Sequence, residues 1–137
     1  MRLLWAVDHG LRSVSKQMQR RLGITGPQRL ALRFVSSSPL ITPSELAAVL
    51  HLDCGTLTGI LERLVEAGLL VRQADPDDGR RVRLALSARG RRLESETSGT
   101  LEDCIERALA SQPRARVEAA KQVLEAVVRE LSSQLGA

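Results

Sequence analysis

Residues 42–86 read TPSELAAVLHLDCGTLTGILERLVEAGLLVRQADPDDGRRVRLAL, and the spacing of their apolar residues changes from helical to alternating near residue 70. Thr42, Pro43 and Glu45 form a capping box with proline in the first turn, which predicts that a helix begins there. Asp53 is a suitable cap for a second helix that starts shortly after the first one ends. This stretch therefore predicts two short helices joined by a tight turn and followed by a hairpin.

The second of these helices, from Cys54 to about residue 67, has one strongly apolar side. Its apolar residues recur at intervals of three and four, which predicts burial of that side. They are Leu57, Ile60, Leu61, Leu64 and Val65. Gly68 is expected to end the helix in a left-handed conformation. The opposite side carries mostly small or polar residues and is therefore available to a partner.

Residues 69–72 and 81–86 are predicted to be the two strands of the hairpin. In the second strand Val82, Leu84 and Leu86 alternate with other residues, which is typical of a strand that is buried on one side. The residues between the strands contain the turn dipeptides Asp-Pro and Asp-Gly. A short hairpin with a charged tip is therefore expected.

Helices are also predicted on both sides of this stretch. Residues 2–22 and the helix that follows Thr25 both show helical spacing of apolar residues. The helix after Thr25 is expected to end near residue 35 and to turn inward Leu30, Ala31, Phe34 and Val35. Ser87 is expected to cap a further helix that bends near Ser98. Pro113 precedes a last helix, whose wide apolar stripe extends to Leu135.

The composition is that of one small domain with an aliphatic core. The chain has 137 residues, of which 43% are apolar and 1% aromatic, and this suits helices. The chain has a net charge of +4. Its positive charge is concentrated in residues 1–33, which sum to +6, and in residues 72–92, which sum to +4. The second block covers the hairpin, which weakly favours nucleic acid as a partner. Neither a signal peptide nor a membrane span is visible, so a cytoplasmic protein is expected.

Two helices joined by a short turn match the helix-turn-helix motif, in which the second helix offers its first turn to base edges. Glycines permit close approach, and threonines supply methyl and hydroxyl groups that can reach thymine methyls or phosphates. The predicted DNA-binding residues are Thr42, Ser44, Cys54, Gly55, Thr56, Thr58, Gly59, Arg63, Arg80 and Arg81. The helix face lacks Arg, Asn or Gln at its first turn, so a face that reads no bases is the alternative.

Arg80 and Arg81 lie at the predicted hairpin tip. An arginine there can enter a minor groove, where the negative potential is enhanced. Asp78 is expected to pair with Arg80 or a neighbour and so to fix the conformation of the tip before DNA binds. Arg63 is expected to contact a phosphate. The alternative is that these charges only keep a loop solvated.

The chain resembles the MarR family of bacterial winged-helix regulators. In residues 75–90, DPDDGRRVRLALSARG, Asp78-Gly79-Arg80 is similar to the family's Asp-x-Arg wing tip. The runs ITGPQ (24–28) and LERLVEAGLLVR (61–72) are similar to the start of the family's second helix and the exit from its recognition helix. Gly59 departs from the family, in which many members carry a larger residue there.

The resemblance implies a mainly α fold with a small β-hairpin wing, a winged helix-turn-helix with dimerisation helices at both ends. Residues 1–137 would form a single domain, with residues 24–92 as the DNA-binding lobe and residues 1–22 and 93–137 as dimerisation helices. Two long apolar stripes at the chain ends also favour a dimer, because so small a lobe cannot bury both. The homodimer would bind a pseudo-palindrome with half-sites about ten base pairs apart. It would repress, or less often activate, nearby genes until a small ligand or an oxidant relieves it.

A small anionic or aromatic effector would bind between the dimer helices and the DNA-binding lobe. Trp5, His9 and Arg12 are the candidate ligand-binding residues, with Phe34 nearby, because His9 and Arg12 share a helix face. The alternative is that His9 and Arg12 are ordinary surface residues. Cys54 is placed for oxidation at a helix N-terminus, although an inert small residue is the simpler interpretation.

Three functions remain open on the sequence alone. The first is a dimeric transcriptional regulator that binds double-stranded DNA. The second is a winged-helix module that contacts proteins and has lost specific DNA reading. The third is an enzyme, but no catalytic residues are identified, because the chain shows no nucleophile–base spacing and no phosphate loop. No cofactor or metal is expected, since Cys54 and Cys104 lie far apart and form no set with the two histidines.

Overall fold

The computed structural model describes residues 1–134, which contain seven helices and one antiparallel hairpin. The helices are α1 (Arg2–Leu22), α2 (Gly26–Ser37), α3 (Pro43–Leu50), α4 (Cys54–Glu66), α5 (Ala88–Ser95), α6 (Leu101–Ala110) and α7 (Arg114–Gln134). The strands are β1 (Leu70–Ala74) and β2 (Val82–Leu86). This order confirms the predicted mainly α fold with a small hairpin. Leu135, which was expected to extend the last stripe, lies outside the described residues.

Helix α2 is at the centre of the first compact unit, residues 1–101, and packs against α1, α3, α4, α5 and β2. Thr25 begins it with a capping box in which its hydroxyl oxygen accepts from the backbone N–H of Gln28. Ala31, Leu32 and Val35 are buried, but Leu30 is 44% exposed, so the prediction that Leu30 faces inward is wrong. The buried face follows intervals of three and four, and Leu30 lies just beyond its edge.

Helices α3 and α4 begin at the predicted caps. Thr42 and Glu45 form the expected capping box, and the Asp53 carboxylate accepts from the backbone N–H of Thr56 at 2.8 Å. Between the helices His51 has φ 52°. The backbone N–H of Leu52 donates to the carbonyl of Ala47 and closes the turn. Short-range hydrogen bonds therefore define this helix-turn-helix, as the sequence indicated.

The hairpin pairs Leu70 with Leu86 at its base and Ala74 with Val82 at its outer end. Leu84 and Leu86 are buried, whereas Val82, at the outer end, is exposed, so the predicted alternation reaches the core at only two of its three positions. The backbone N–H of Leu84 donates to Ile41 at 3.0 Å, so the segment before α3 also contacts the hairpin.

The second compact unit, residues 102–137, contains most of α6 and all of α7. Several large apolar side chains of α7 are exposed in the isolated protomer, including Val123, Leu124 and Leu131. Within the first unit, the N-terminal half of α1 likewise exposes Leu3 and Val7. Across residues 1–134, none of the helices combines the length and the apolar character that crossing a membrane requires.

Candidate nucleic-acid interface

The outward face of α4 contains the small residues that are predicted from the sequence to contact DNA. Leu57, Leu61 and Leu64 are buried in the core, and this fixes the rotation of the helix about its axis. Cys54, Gly55, Thr56 and Thr58 are consequently exposed, and Gly59 is half-buried. Ile60 packs partly on the core, whereas Val65 is exposed, so the apolar stripe is narrower than predicted. The face is therefore open along the first two turns of the helix.

The two threonines of this face use their hydroxyl hydrogens within α4. Thr56 Oγ1 donates to Asp53 Oδ2 at 2.6 Å, and Thr58 Oγ1 donates to the carbonyl oxygen of Cys54 at 2.7 Å. The hydrogen bond from the Thr56 side chain is the main reason that the pKa of Asp53 lies below its ordinary value. With these donors occupied, the threonines present methyl groups and oxygen lone pairs outward. Phosphate, which needs donors, is thus a poorer partner for them than the sequence alone indicated.

Gly59 has no packing reason to be glycine. A Cβ atom added at Gly59 would meet nothing within 4 Å, whereas one added at Gly55 would lie 3.2 Å from Asp53 Oδ1. Glycine within a helix destabilises it relative to alanine. Nothing in the packing of the fold therefore requires glycine at this position, and a partner whose surface comes close to the α4 backbone would explain it.

The N-terminus of α3 lies beside the hairpin. A shallow pocket of about 350 Å³ is lined by Thr42, Pro43, Ser44, Glu45, Arg81 and Val82. Ser44 is exposed, and Thr42 is half-buried because its hydroxyl caps the helix. The backbone N–H of Thr42 is the main cause of the lowered pKa of Glu45. This pocket brings Thr42 and Ser44 next to Arg81, although their separation in the sequence is large.

The hairpin tip has the expected pairing. Arg80 Nε lies 3.2 Å from Asp78 Oδ1, and Arg81 Nε lies 3.6 Å from Asp78 Oδ2. The Arg80 side chain is still 93% exposed. One carboxylate therefore holds two arginines while it leaves the guanidinium of Arg80 accessible. Arg63, in the last turn of α4, is also exposed.

The residues that anchor this tip are not among those predicted from the sequence. Asp75 is only 5% exposed, and its carboxylate accepts from the backbone N–H groups of Asp77 and Asp78 and from Arg83 Nε. The N–H of Asp77 is the main cause of its lowered pKa. Arg83 also donates to the carbonyl oxygen of Leu40 at 2.8 Å. The available signal was a charged residue, Arg83, next to the outer end of β2, although the alternation predicts that its side chain points away from the core.

The residues proposed for an effector are exposed on α1. Trp5 is 69% exposed, His9 is exposed, and Arg12 forms an ion pair with Asp8 at 2.8 Å. One protomer thus leaves these three side chains open to solvent, and Phe34 packs partly on the core. A different pocket of about 360 Å³ lies elsewhere in the first unit, lined by Leu22, Gly23, Ile24, Ala67, Leu69, Arg89, Arg92, Leu93 and Glu96.

Comparison with known sequences assigns the chain to a family. Residues 22–81 match the model of the MarR family. The chain is 33% identical over 94 residues to the organic hydroperoxide resistance transcriptional regulator of Bacillus subtilis, and the match covers 69% of the chain and 64% of that relative. It is 30% identical over 123 residues to a helix-turn-helix transcriptional repressor of Mycobacterium tuberculosis, covering 90% of the chain and 88% of that relative.

Solved structures give the same result for the fold. The MepR–DNA complex of S. aureus matches with a TM-score of 0.80 at 19% identity, covering 94% of each chain. A mutant of MarR from E. coli, complexed with operator DNA, matches with a TM-score of 0.73 at 28% identity, covering 92% of this chain and 91% of that one. The motifs, the fold and these matches together show that the chain belongs to the MarR family of winged helix-turn-helix transcriptional regulators.

Proposed function

We propose that this protein regulates transcription by binding a specific double-stranded DNA operator through the outward face of α4 and the tip of the hairpin. The observation that carries the proposal is the open α4 face, where Gly59 has space around it that the fold itself does not use. A major groove is wide enough to admit a helix, and glycine permits a close approach of its backbone. The mutant MarR–operator complex, 28% identical to this chain, supports DNA as the partner.

The contacts of the threonines indicate what this face reads. Thr56 and Thr58 offer methyl groups and acceptor oxygens, because their hydroxyl hydrogens are already donated within the helix. Methyl groups pack well against the thymine methyl, and acceptor oxygens suit the amino groups of cytosine or adenine. We therefore expect a half-site whose central major-groove positions favour A·T pairs.

The remaining predicted residues would hold the duplex rather than read it. Arg80 at the hairpin tip suits the minor groove, where an exposed guanidinium finds enhanced negative potential. Arg81 and Ser44, which line the pocket beside α3, are suited to phosphate oxygens. Arg63 at the end of α4 would contact a further phosphate. These contacts set affinity and orientation, and they account for a dependence on salt.

The protein would act as a homodimer. The exposed apolar residues of α1, such as Leu3 and Val7, and of α7, such as Leu124, need a second copy to cover them. Residues 24–92 would then be the DNA-binding lobe of a single domain, with residues 1–22 and 93–137 in the dimer contact. A small anionic or aromatic effector would bind where Trp5, His9 and Arg12 meet the partner. A regulator of chromosomal genes works in the cytoplasm, and we propose this location.

The test is binding of the purified protein to DNA from just upstream of its own gene, followed over a series of salt concentrations. A regulator of this kind should bind one region at least about a thousandfold more tightly than unrelated DNA of equal length. Its affinity should fall steeply as salt rises, because phosphate contacts release counterions. The alternative, a winged-helix module for protein contacts, predicts no preferred region and is supported by equal, weak affinity for all duplexes.

A further inference from the structure

Three arginines from α1 and α2 converge on the end of α5. The central one is Arg29, which is only 1% exposed. Its Nη1 donates to the carbonyl oxygen of Leu93 at 2.7 Å, and its Nη2 donates to that of Glu94 at 2.9 Å. One guanidinium on α2 therefore satisfies two of the last carbonyls of α5.

The other two arginines act on either side of it. Arg33 Nη1 lies 2.8 Å from Glu94 Oε1, and the Glu94 side chain is largely buried. Arg21, near the end of α1, donates to the carbonyl oxygen of Ser98 and lies 3.9 Å from Glu96 Oε1. We call Arg21, Arg29 and Arg33 the arginine clamp, and it holds residues 93–98.

The held segment is the junction between α5 and α6. Helix α5 ends at Ser95, α6 begins at Leu101, and Gly99 between them has φ 63°. The first compact unit ends at Leu101, so the clamp acts where the chain leaves that unit. A short connection of this kind would be free to change direction if its carbonyls were bound only to water.

Burial of a guanidinium indicates that the clamp does more than fill space. An apolar side chain could fill the position of Arg29 without the cost of desolvating a charge. Arginine is tolerated because the carbonyl end of α5 carries the negative pole of the helix dipole and supplies acceptors in fixed directions. The Arg21–Glu96 ion pair is exposed to solvent and is therefore weak by itself. Arg29 thus supplies most of the constraint on the end of α5, and Arg21 and Arg33 add to it.

The same helix is attached to α4 at its other end. Arg89 Nη1 donates to the carbonyl oxygen of Ala67, the C-cap of α4, at 2.7 Å. Ser87 Oγ donates to the carbonyl oxygen of Gly68 at 2.7 Å. Helix α5 is therefore bonded at its start to the end of α4 and at its end to α2. Any constraint on the end of α5 is thereby also a constraint on α4.

We propose that the arginine clamp sets the spacing between the two α4 helices of the dimer, and that Arg21, Arg29 and Arg33 are positioning residues for operator binding. The inference rests on the proposed function, since it requires a dimer on two half-sites. The clamp restricts the direction in which the chain leaves the DNA-binding lobe. It thereby keeps the dimer in the geometry that fits operators with one particular separation between half-sites. None of the three arginines needs to touch DNA for this.

The test compares four proteins on four DNA duplexes. The proteins are the wild type, Arg29→Lys, the double variant Arg21→Gln with Arg33→Gln, and the control Arg20→Gln, which removes an exposed arginine of α1 from outside the clamp. The duplexes are the operator that the wild type protects, the same operator with one base pair inserted or removed between half-sites, and an isolated half-site. Circular dichroism checks that each variant is folded, and the double variant keeps the test valid if Arg29→Lys does not fold.

If only about a tenth of the dimers of a clamp variant have the geometry that binds the operator, the affinity for the operator should fall about tenfold. Their affinity for the isolated half-site should stay within about twofold of wild type, and they should discriminate less among the three spacings. Arg20→Gln should behave as wild type. Equal losses on the operator and the half-site, or an unchanged spacing preference in folded clamp variants, would overturn the inference alone. A wild type that prefers no duplex would overturn the proposed function as well.

Discussion

Asp75 and Arg83 pair near the outer end of the hairpin, and the same Arg83 guanidinium also donates to the carbonyl oxygen of Leu40. The Asp75 carboxylate in turn accepts from the backbone of Asp77 and Asp78, the residues that lead to the tip. A chain of polar contacts thus joins the tip arginines to the segment that precedes α3. The hairpin is therefore held against the helix-turn-helix and does not project as an independent loop.

This pairing makes stability depend on pH. The pKa of Asp75 is lowered, chiefly by the N–H of Asp77, so its ionised form stabilises the folded state above the unfolded pKa of about 3.9. The wild type should therefore be more stable than Asp75→Asn by a constant margin from pH 7 down to about pH 5. The margin should shrink as the pH falls below about 4, because protonation removes the charge.

Urea unfolding at several pH values measures this margin. Asp77→Asn is the matched control, because Asp77 is an exposed aspartate of the same turn. A margin for Asp75→Asn that is unchanged between pH 7 and about pH 3 would show that the charge of Asp75 is not what stabilises the hairpin.

Leu40 is a site where glycine should stabilise the protein. Its φ is 64°, in the left-handed region that costs a side chain with a Cβ about 1–2 kcal/mol. Leu40→Gly should raise the free energy of unfolding by about 0.5–1 kcal/mol, after the greater entropy of glycine in the unfolded chain is subtracted. Thermal or urea denaturation measures the change. Ser38→Gly, at φ −127°, should show no gain, and equal effects of the two substitutions would contradict this explanation.

Gly90 and Gly59 should respond in opposite ways to alanine. A Cβ atom at Gly90 would lie 1.9 Å from the carbonyl oxygen of Leu69, which is backbone and cannot move aside easily. Gly90→Ala should therefore lower the free energy of unfolding by about 1–3 kcal/mol. Gly59→Ala, with open space around it, should raise stability by up to about 1 kcal/mol.

The same Gly59→Ala variant tests the DNA interface, because any loss of operator affinity in it cannot come from unfolding. We expect weaker operator binding together with higher stability, measured by fluorescence anisotropy and urea denaturation. Full affinity in the stabilised variant would show that the α4 backbone does not approach the duplex at this position.

Arg80→Ala should weaken DNA binding without affecting folding. The Arg80 side chain is exposed and pairs with Asp78 at the tip, so its removal should change stability by less than about 0.5 kcal/mol. The slope of log affinity against log salt concentration should fall by about one, the contribution of one lost ionic contact. Arg20→Ala removes the same charge from α1, and an equal effect of the two variants would indicate a general charge effect instead of a contact at the tip.

The parts of the fold that short-range bonds determine could be predicted from the sequence. The caps at Thr42 and Asp53 depend on residues three positions apart, and both helix starts are where the pattern placed them. The apolar stripes that the sequence predicts are wider than those that are buried, because the spacing of apolar residues does not show how much of a helix surface its neighbours cover. Leu30 and Val65 were assigned inward on this basis and are exposed.

The placement of the candidate site residues in the fold was predictable to the same extent, and their contacts with DNA stay a prediction. The outward residues of α4 follow directly from the burial of Leu57 and Leu61. The clamp was not predictable, because Arg29 meets Leu93 across 64 positions of the sequence and nothing local marks either residue. The hydroxyl bond of Thr58 to the carbonyl of Cys54 is a common helical contact, and it could have been anticipated from the spacing of four.

The proposed function requires that the open face of α4 and the arginine-tipped hairpin contact the same duplex. Hydroxyl-radical footprinting of the wild type and Arg80→Ala on DNA upstream of the gene tests it most directly. We expect two protected patches about ten base pairs apart with protected minor grooves flanking them, and loss of only the flanking protection in Arg80→Ala. A footprint that Arg80→Ala leaves unchanged, or no footprint for the wild type, would contradict it.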